Sequence, residues 1–207
     1  MQKTRIERGL VWPADDTECA RAVFGTLDDC DAATALCRHN RLAVQAGGNC
    51  GVWARHLASV FDRVVTFEPD PLNFRCLVAN CAPFENILSL PAALGAKSGG
   101  WCDLERIEKN AGAHQVVDGA VAPVLALDDL NLPACDLIYL DVEGMEKAAL
   151  LGAFRTIDRF RPVIAFEDKG LSQRYGVEKG DVETWLFSFG YRVIDRRRRD
   201  VIMVPAL

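Results

Sequence analysis

An apolar run, Leu42-Ala43-Val44, stops at a glycine-rich turn, Gln45-Ala46-Gly47-Gly48-Asn49-Cys50-Gly51. A helix-like segment follows, and a second apolar run, Val64-Val65-Thr66-Phe67, ends on Glu68, seventeen positions after Gly51. The order strand, glycine turn, helix, strand, acid demands a parallel β-α-β unit, because two strands joined through a helix must run the same way. It also builds a nucleoside pocket. Glycines let backbone approach a ligand closely, and an acid at the end of the second strand can accept both ribose hydroxyls.

The rhythm continues along the chain. Strands are predicted at 41–46, 63–67, 86–90, 136–141 and 161–167, and helices at 50–60, 71–82, 145–153 and 180–188. Pro71 opens the second of these helices at a favourable first-turn position. Ahead of the first strand, residues 1–16 read as an irregular arm. Two short helices are expected after it, over 17–24, capped by Asp16 or Thr17, and from Thr26, as its cap, to about Cys37. Residues 97–126, rich in glycine, break the pattern and read as an edge strand, a loop and another short strand. The chain closes with Tyr191-Arg192-Val193-Ile194 and Val201-Ile202-Met203-Val204, which a short polar turn makes antiparallel. The expected fold is α/β: a Rossmann-like three-layer sandwich with a mostly parallel seven-stranded sheet and an antiparallel C-terminal hairpin. That ending resembles the layout of class I S-adenosylmethionine-dependent methyltransferases. The division expected is an N-terminal arm and helices over 1–40, packing on a methyltransferase domain over 41–207.

Composition excludes several alternatives. Half of the 207 residues are hydrophobic, enough for one α/β domain with a real core, and no apolar run is long enough to span a bilayer. The eight cysteines include no CxxC pair, so reduced core thiols in a cytoplasmic protein are expected rather than disulfides or structural zinc. No apolar segment follows Met1-Gln2-Lys3-Thr4-Arg5, so no secretory signal is expected. A net charge of −5 gives no general attraction to nucleic acid. Arg196 to Arg199 is the exception, and with Asp195 and Asp200 bracketing it a solvated turn is the expected reading.

Two motifs carry chemistry. Gly47, Asn49 and Gly51 form G-x-N-x-G followed by Val52, which lacks the third glycine of a dinucleotide fingerprint and counts against a nicotinamide enzyme. The apolar strand Leu137-Ile138-Tyr139-Leu140 delivers Asp141 and Glu143 to the carboxyl edge of the sheet. Two acids there could hold a ligand's ammonium group, position a hydroxyl, or bind a divalent ion. Glu167 ends the strand Val163-Ile164-Ala165-Phe166. Of the histidines, His39 precedes the first strand, His56 lies mid-helix, and His114, in the irregular insert, reads as a solvated loop residue unless that insert folds over the site.

Together, Phe67-Glu68-Pro69-Asp70-Pro71 with Asn73-Phe74, Leu127-Asp128-Asp129-Leu130, Asp141-Val142-Glu143-Gly144-Met145-Glu146, Leu151-Gly152-Ala153 and Arg161-Pro162-Val163-Ile164 with Glu167 resemble the FkbM family of methyltransferases over about residues 43–170. The resemblance implies S-adenosylmethionine as methyl donor and O-methylation of a hydroxyl on a sugar or other small metabolite. It implies cofactor contacts from Gln45, Gly47, Gly48, Asn49 and Gly51 at the methionine end, from Glu68 with Pro69 at the ribose, from Ala92 and Ala93 at the adenine, and from Asp141. Asp141, Glu143 and Glu167 are the expected catalytic acids, with no metal assigned. The family commonly has Asp where this chain has Gln45, which motivates an alternative: a catalytically degenerate nucleoside-binding module. A methyltransferase acting on nucleic acid or protein is a further alternative; without the tetrapeptide or Pro-Cys motifs of DNA-methylating enzymes, a nucleic-acid substrate is disfavoured. The acceptor's identity and the oligomeric state leave no readable mark.

Overall fold

The computed structural model describes residues 3–206. The N-terminal segment is ordered, not irregular. β1 (Thr4–Glu7) and β2 (Leu10–Pro13) pair antiparallel around Arg8-Gly9, both at positive φ (51° and 76°). Such a two-residue turn matches the twist of a hairpin. Gly9 is the second residue of that turn, while residues 1–2 of the arm lie outside the described residues. Trp12 is fully buried, and Asn80 clasps Val11 at both its N–H (2.8 Å) and its carbonyl (2.9 Å).

Next come α1 (Cys19–Ala22), a 3₁₀ turn over Val23–Thr26, and α2 (Leu27–Thr34). Asp16 caps α1, accepting from Cys19 N (3.2 Å) and Ala20 N (2.9 Å). Thr26 does not cap α2. Its hydroxyl donates to Val23 O (2.7 Å) and accepts from the Trp53 indole (3.0 Å).

The β-α-β rhythm then unfolds as expected: β3 (Leu42–Ala46), α3 (Val52–Ala58), β4 (Arg63–Phe67), α4 (Pro71–Cys81) and β5 (Ile87–Leu90). After the short β6 (Ala93–Leu94), the glycine-rich insert holds more strand than expected: β7 (Trp101–Glu105), β8 (Gln115–Asp118) and β9 (Ala122–Leu125). These form a separate four-stranded sheet, ordered β6-β9-β7-β8, and no strand of 97–126 joins the edge of the main one. The chain finishes with β10 (Leu137–Leu140), α5 (Glu146–Leu151), α6 (Phe154–Phe160), β11 (Val163–Glu167), α7 (Asp181–Ser188), β12 (Tyr191–Arg197) and β13 (Asp200–Pro205).

The main sheet has seven strands in the order β12-β13-β11-β10-β3-β4-β5. β13 alone is reversed, inserted between β11 and β12. Alternation along each central strand feeds two cores. Val44, Val65, Ile138 and Ile164 face one, with Leu150, Ile157 and Leu186 of the covering helices. Ala43, Val64, Leu137 and Ala165 face the other, with Trp12, Trp53, Leu57 and Leu77. All eight cysteines are unpaired thiols, and six are buried. Among the described residues no helix is long and apolar enough to cross a membrane.

Candidate active site

Ligands of an open parallel sheet bind beyond the carboxyl ends of its strands, where the strand order reverses. Here that point is the crest of β3, flanked by β4 and β10. Gly47 N and Gly48 N both donate to Phe67 O, at 3.2 and 2.8 Å, pinning the turn to β4. Gly47 has φ +84°, and a Cβ on it would sit 1.9 Å from the Asp141 carbonyl oxygen. Only glycine lets this turn lie so close to the end of β10.

Glu68 is almost fully buried at the end of β4. Its two carboxylate oxygens accept from Asn49 N (2.6 Å) and Asp70 N (2.7 Å). Burial pushes its carboxyl up to about 8, against the pull of those two N–H donors. Asn49, in the left-handed region at φ +46°, turns its side chain up to Ala111 O (2.9 Å).

An open cleft spreads over this crest. Gly47, Gly48, Asn49, Glu68 and Pro69 make its floor, Ala92 and Ala93 one end, and Asp141, Val142 and Glu143 the other. The structure does not bring Gln45 or Gly51 to it. Gln45 is fully buried beneath the turn, donating to Gly47 O (2.9 Å) and accepting from the Thr66 hydroxyl. Gly51 points at α4, where a Cβ would lie 2.8 Å from Cys81 Sγ.

The roof was not legible in the sequence. Cys19 and Val23 reach it from the N-terminal helices, and Leu104, Ala111, Gly112, His114 and Val116 from the insert. Its keystone is Ala111. The Ala111 carbonyl accepts from Asn49 (2.9 Å) and Asn73 (2.8 Å), and its N–H donates to Asp16 (3.0 Å). Arg106 adds an ion pair to Asp70 at 2.6 Å. His114 is thus part of the cleft wall and not a solvated loop residue, because the insert folds down over the crest. Its Nδ1 accepts from Ile107 N (3.2 Å), and burial lowers its pKa below 6.5.

At the far end Asp141 and Glu143 line the cleft and meet Glu167, which lies behind them in an adjoining recess, with carboxylate oxygens of the three within 4.8 Å of one another. Sequence reasoning missed the group among them. Lys169 Nζ lies 2.5 Å from Glu167, 2.8 Å from Glu143 and 3.8 Å from Asp141. Its signal was faint: a lysine two residues beyond a strand-end acid. Burial and the neighbouring Glu167 hold the Asp141 carboxyl well above its usual range, and burial with Asp141 also raises Glu143. Glu143 itself sits at φ +53°. Glu146, also missed, closes that strained turn by accepting from Val142 N (3.2 Å) and Gly144 N (3.3 Å).

The arginine run occupies the β12–β13 turn, and intramolecular acids take three of its charges. Arg196 pairs with Glu183 (2.5 Å), Arg197 with Asp195 (2.9 Å) and Arg198 with Asp29 (2.5 Å). His56 lies on α3 and contacts Asp31 at 2.6 Å.

A family model described as the methyltransferase FkbM domain matches residues 45–193. Among solved structures the chain is similar to methyltransferase FkbM from Methylobacillus flagellatus KT, with a TM-score of 0.54 and 19% identity, covering 89% of this chain and 53% of that one. The chain therefore spans about half the length of that relative. It is also similar to precorrin-6y C5,15-methyltransferase from Geobacter metallireducens GS-15, with a TM-score of 0.52 and 12% identity over 97% of this chain and 96% of that one. A third similar structure is a Streptococcus mutans protein in complex with SAH, with a TM-score of 0.52 and 10% identity over 86% of this chain and 96% of that one. At such identities the structural likenesses speak for the fold. No curated protein matches the chain in sequence.

Proposed function

Because the chain belongs to the FkbM methyltransferase domain family, we propose that it moves a methyl group from S-adenosylmethionine to a hydroxyl of a sugar or another small metabolite. The observation that carries this reading is the cleft itself. One crevice holds a glycine cradle with no room for a Cβ, a buried strand-end acid, two small residues and, at its far end, Asp141 and Glu143 of the acid cluster. Those features suit, in order, the methionine, ribose, adenine and methyl ends of the donor.

In this reading Gly47, Gly48 and Asn49 approach the methionine portion. Glu68, with Pro69 beside it, accepts the ribose hydroxyls on the lone pairs its two backbone donors leave free. Ala92 and Ala93, both buried, present flat apolar surface to the adenine. Asp141 faces both cofactor and acceptor. Bound there, the cofactor supplies an electrophilic methyl group on a sulfonium. The chain's own contribution is to orient the acceptor hydroxyl and take its proton, worth on the order of 10²–10⁴-fold for a well-placed base. Glu143 and Glu167 are the residues for that task.

Gln45 does not weigh against the reading. Its side chain is consumed beneath the turn, so the carboxylate missing at this position takes no contact from the cleft. The unpaired thiols favour a reducing, cytoplasmic setting. Calorimetry with S-adenosylhomocysteine tests the cofactor, with saturable binding expected; absence of heat at millimolar ligand would remove the proposal. A screen with radiolabelled methyl donor then tests the acceptor. Label is expected on hydroxyl-bearing small molecules, and label only on RNA or protein would replace the substrate class.

A further inference from the structure

The acid cluster at the acceptor end contains its own cation. Three carboxylates whose oxygens lie within 4.8 Å of one another cannot all stay ionised in a partly buried site without compensating charge. Such a trio suits a divalent ion, since a six-coordinate metal at about 2.1 Å sets its ligand oxygens about 3–4 Å apart. Here the space between them is filled. Lys169 Nζ stands 2.5 Å from Glu167, 2.8 Å from Glu143 and 3.8 Å from Asp141. These are ammonium–carboxylate separations, longer than the bonds of about 2.1 Å made by a small octahedral divalent ion. An ammonium carries three N–H groups; here Glu167 and Glu143 lie within hydrogen-bond distance of it, and Asp141 faces it as an ion-pair neighbour only. The lysine is anchored by chain geometry, because it follows Glu167 by two residues at the end of β11. A narrow polar recess lined by Glu143, Glu146, Asp168 and Ser172 borders it.

We infer that Lys169 is the resident cation of this cluster, a positioning residue that holds Asp141, Glu143 and Glu167 in place, so that the acceptor end of the cleft needs no divalent ion. The inference rests on the methyl-transfer reading for its meaning, though not for its test. Removing the lysine leaves a vacant ligand set, and the protein is expected to become a metal binder.

The experiment is manganese titration followed by electron paramagnetic resonance, on the full chain and on Lys169→Ala, Lys169→Arg, Glu167→Gln and Lys169→Ala/Glu167→Gln. The unaltered chain is expected to leave the free-ion signal untouched up to about 1 mM Mn²⁺. Lys169→Ala should gain one site at least tenfold tighter than that limit, Lys169→Arg should gain none, and the double variant should lose it. Should Lys169→Ala not fold by circular dichroism, Lys169→Gln takes its place. Manganese binding by the unaltered chain that Glu167→Gln weakens would overturn the inference. A folded Lys169→Ala or Lys169→Gln that takes up no ion would do the same. S-adenosylhomocysteine calorimetry on the same samples separates the two ideas: its failure strikes the methyl-transfer reading and leaves the manganese result standing.

Discussion

The floor of the cleft is built by three adjacent parallel strands, and each of its groups is set within a few residues of a strand end. The roof is drawn from segments that lie far apart in the chain: Cys19 and Val23 from the N-terminus, residues 104–116 from the insert. Backbone hydrogen bonds from Gly47 and Gly48 to Phe67 hold the floor. The roof hangs on side chains, with Asp16, Asn49 and Asn73 meeting at one peptide, Ala111. A site can therefore be half rigid ladder and half tethered cover, and the two halves should respond differently to substitution. Damage to the floor should abolish the pocket; damage to the roof should loosen it.

The largest effect is expected at Gly47. In Gly47→Ala the new Cβ meets Asp141 O at 1.9 Å, and the residue must also hold φ +84°. Neither partner is a flexible side-chain end, so strain and overlap should together cost about 3 kcal/mol or more. Chemical denaturation should show that loss, and calorimetry should find no S-adenosylhomocysteine binding. A folded variant with intact affinity would show that the floor yields as readily as the roof.

Glu68→Ala comes next, removing the proposed ribose acceptor and stranding Asn49 N and Asp70 N. About 100-fold weaker S-adenosylhomocysteine binding is expected, equivalent to about 3 kcal/mol. The residue also gives the floor a pH signature. With its carboxyl at about 8 in the free protein, Glu68 holds a proton at neutral pH, whereas accepting two ribose hydroxyls requires the carboxylate. Affinity should rise with pH up to about 8 and level off beyond, approaching tenfold per unit on the acid side. In Glu68→Gln that slope should vanish. Equal slopes in both proteins would assign the titration to another group.

How much of this was readable from residue order follows the same division. The glycine turn, Glu68, Asp141, Glu143 and the reversed last strand are local patterns, each set by apolar runs and their punctuation, and all appear in the structure where they were expected. The roof is bonded through the Ala111 peptide, and a backbone carbonyl carries no side-chain signature. The β1–β2 hairpin was hidden for a related reason: Trp12 and Asn80 join it to a helix about seventy residues away. Gln45 shows the converse error. Its position in the motif suggested ligand contact, yet strand alternation turns its side chain beneath the crest. Lys169 escaped notice because one lysine near an acid is common in any sequence, and only the fold brings three acids around it.

On the roof, Asp16→Ala should be the most damaging change. It deprives Cys19 N, Ala20 N and Ala111 N of their acceptor and should cost about 1–3 kcal/mol in stability. Nucleoside affinity should fall about tenfold, since the floor remains. A loss as large as that of Glu68→Ala would show that the roof, too, shapes the pocket rather than covering it.

His114→Ala should have the smallest effect, and it asks whether the roof carries chemistry. The ring accepts Ile107 N on Nδ1, so in its neutral form the proton sits on Nε2. Burial lowers its pKa, which favours that neutral form. A ring fixed in that tautomer offers the cleft a donor and no basic nitrogen, and cannot take the acceptor's proton without first releasing Ile107. Removing it should weaken S-adenosylhomocysteine binding only about threefold, less than 1 kcal/mol, and leave the pH dependence of methyl transfer where the acids set it. Should transfer instead collapse while nucleoside affinity is kept, the base would belong to the roof. The acid cluster around Lys169 would then be a scaffold for the acceptor, and the division between a working floor and a passive cover would fall.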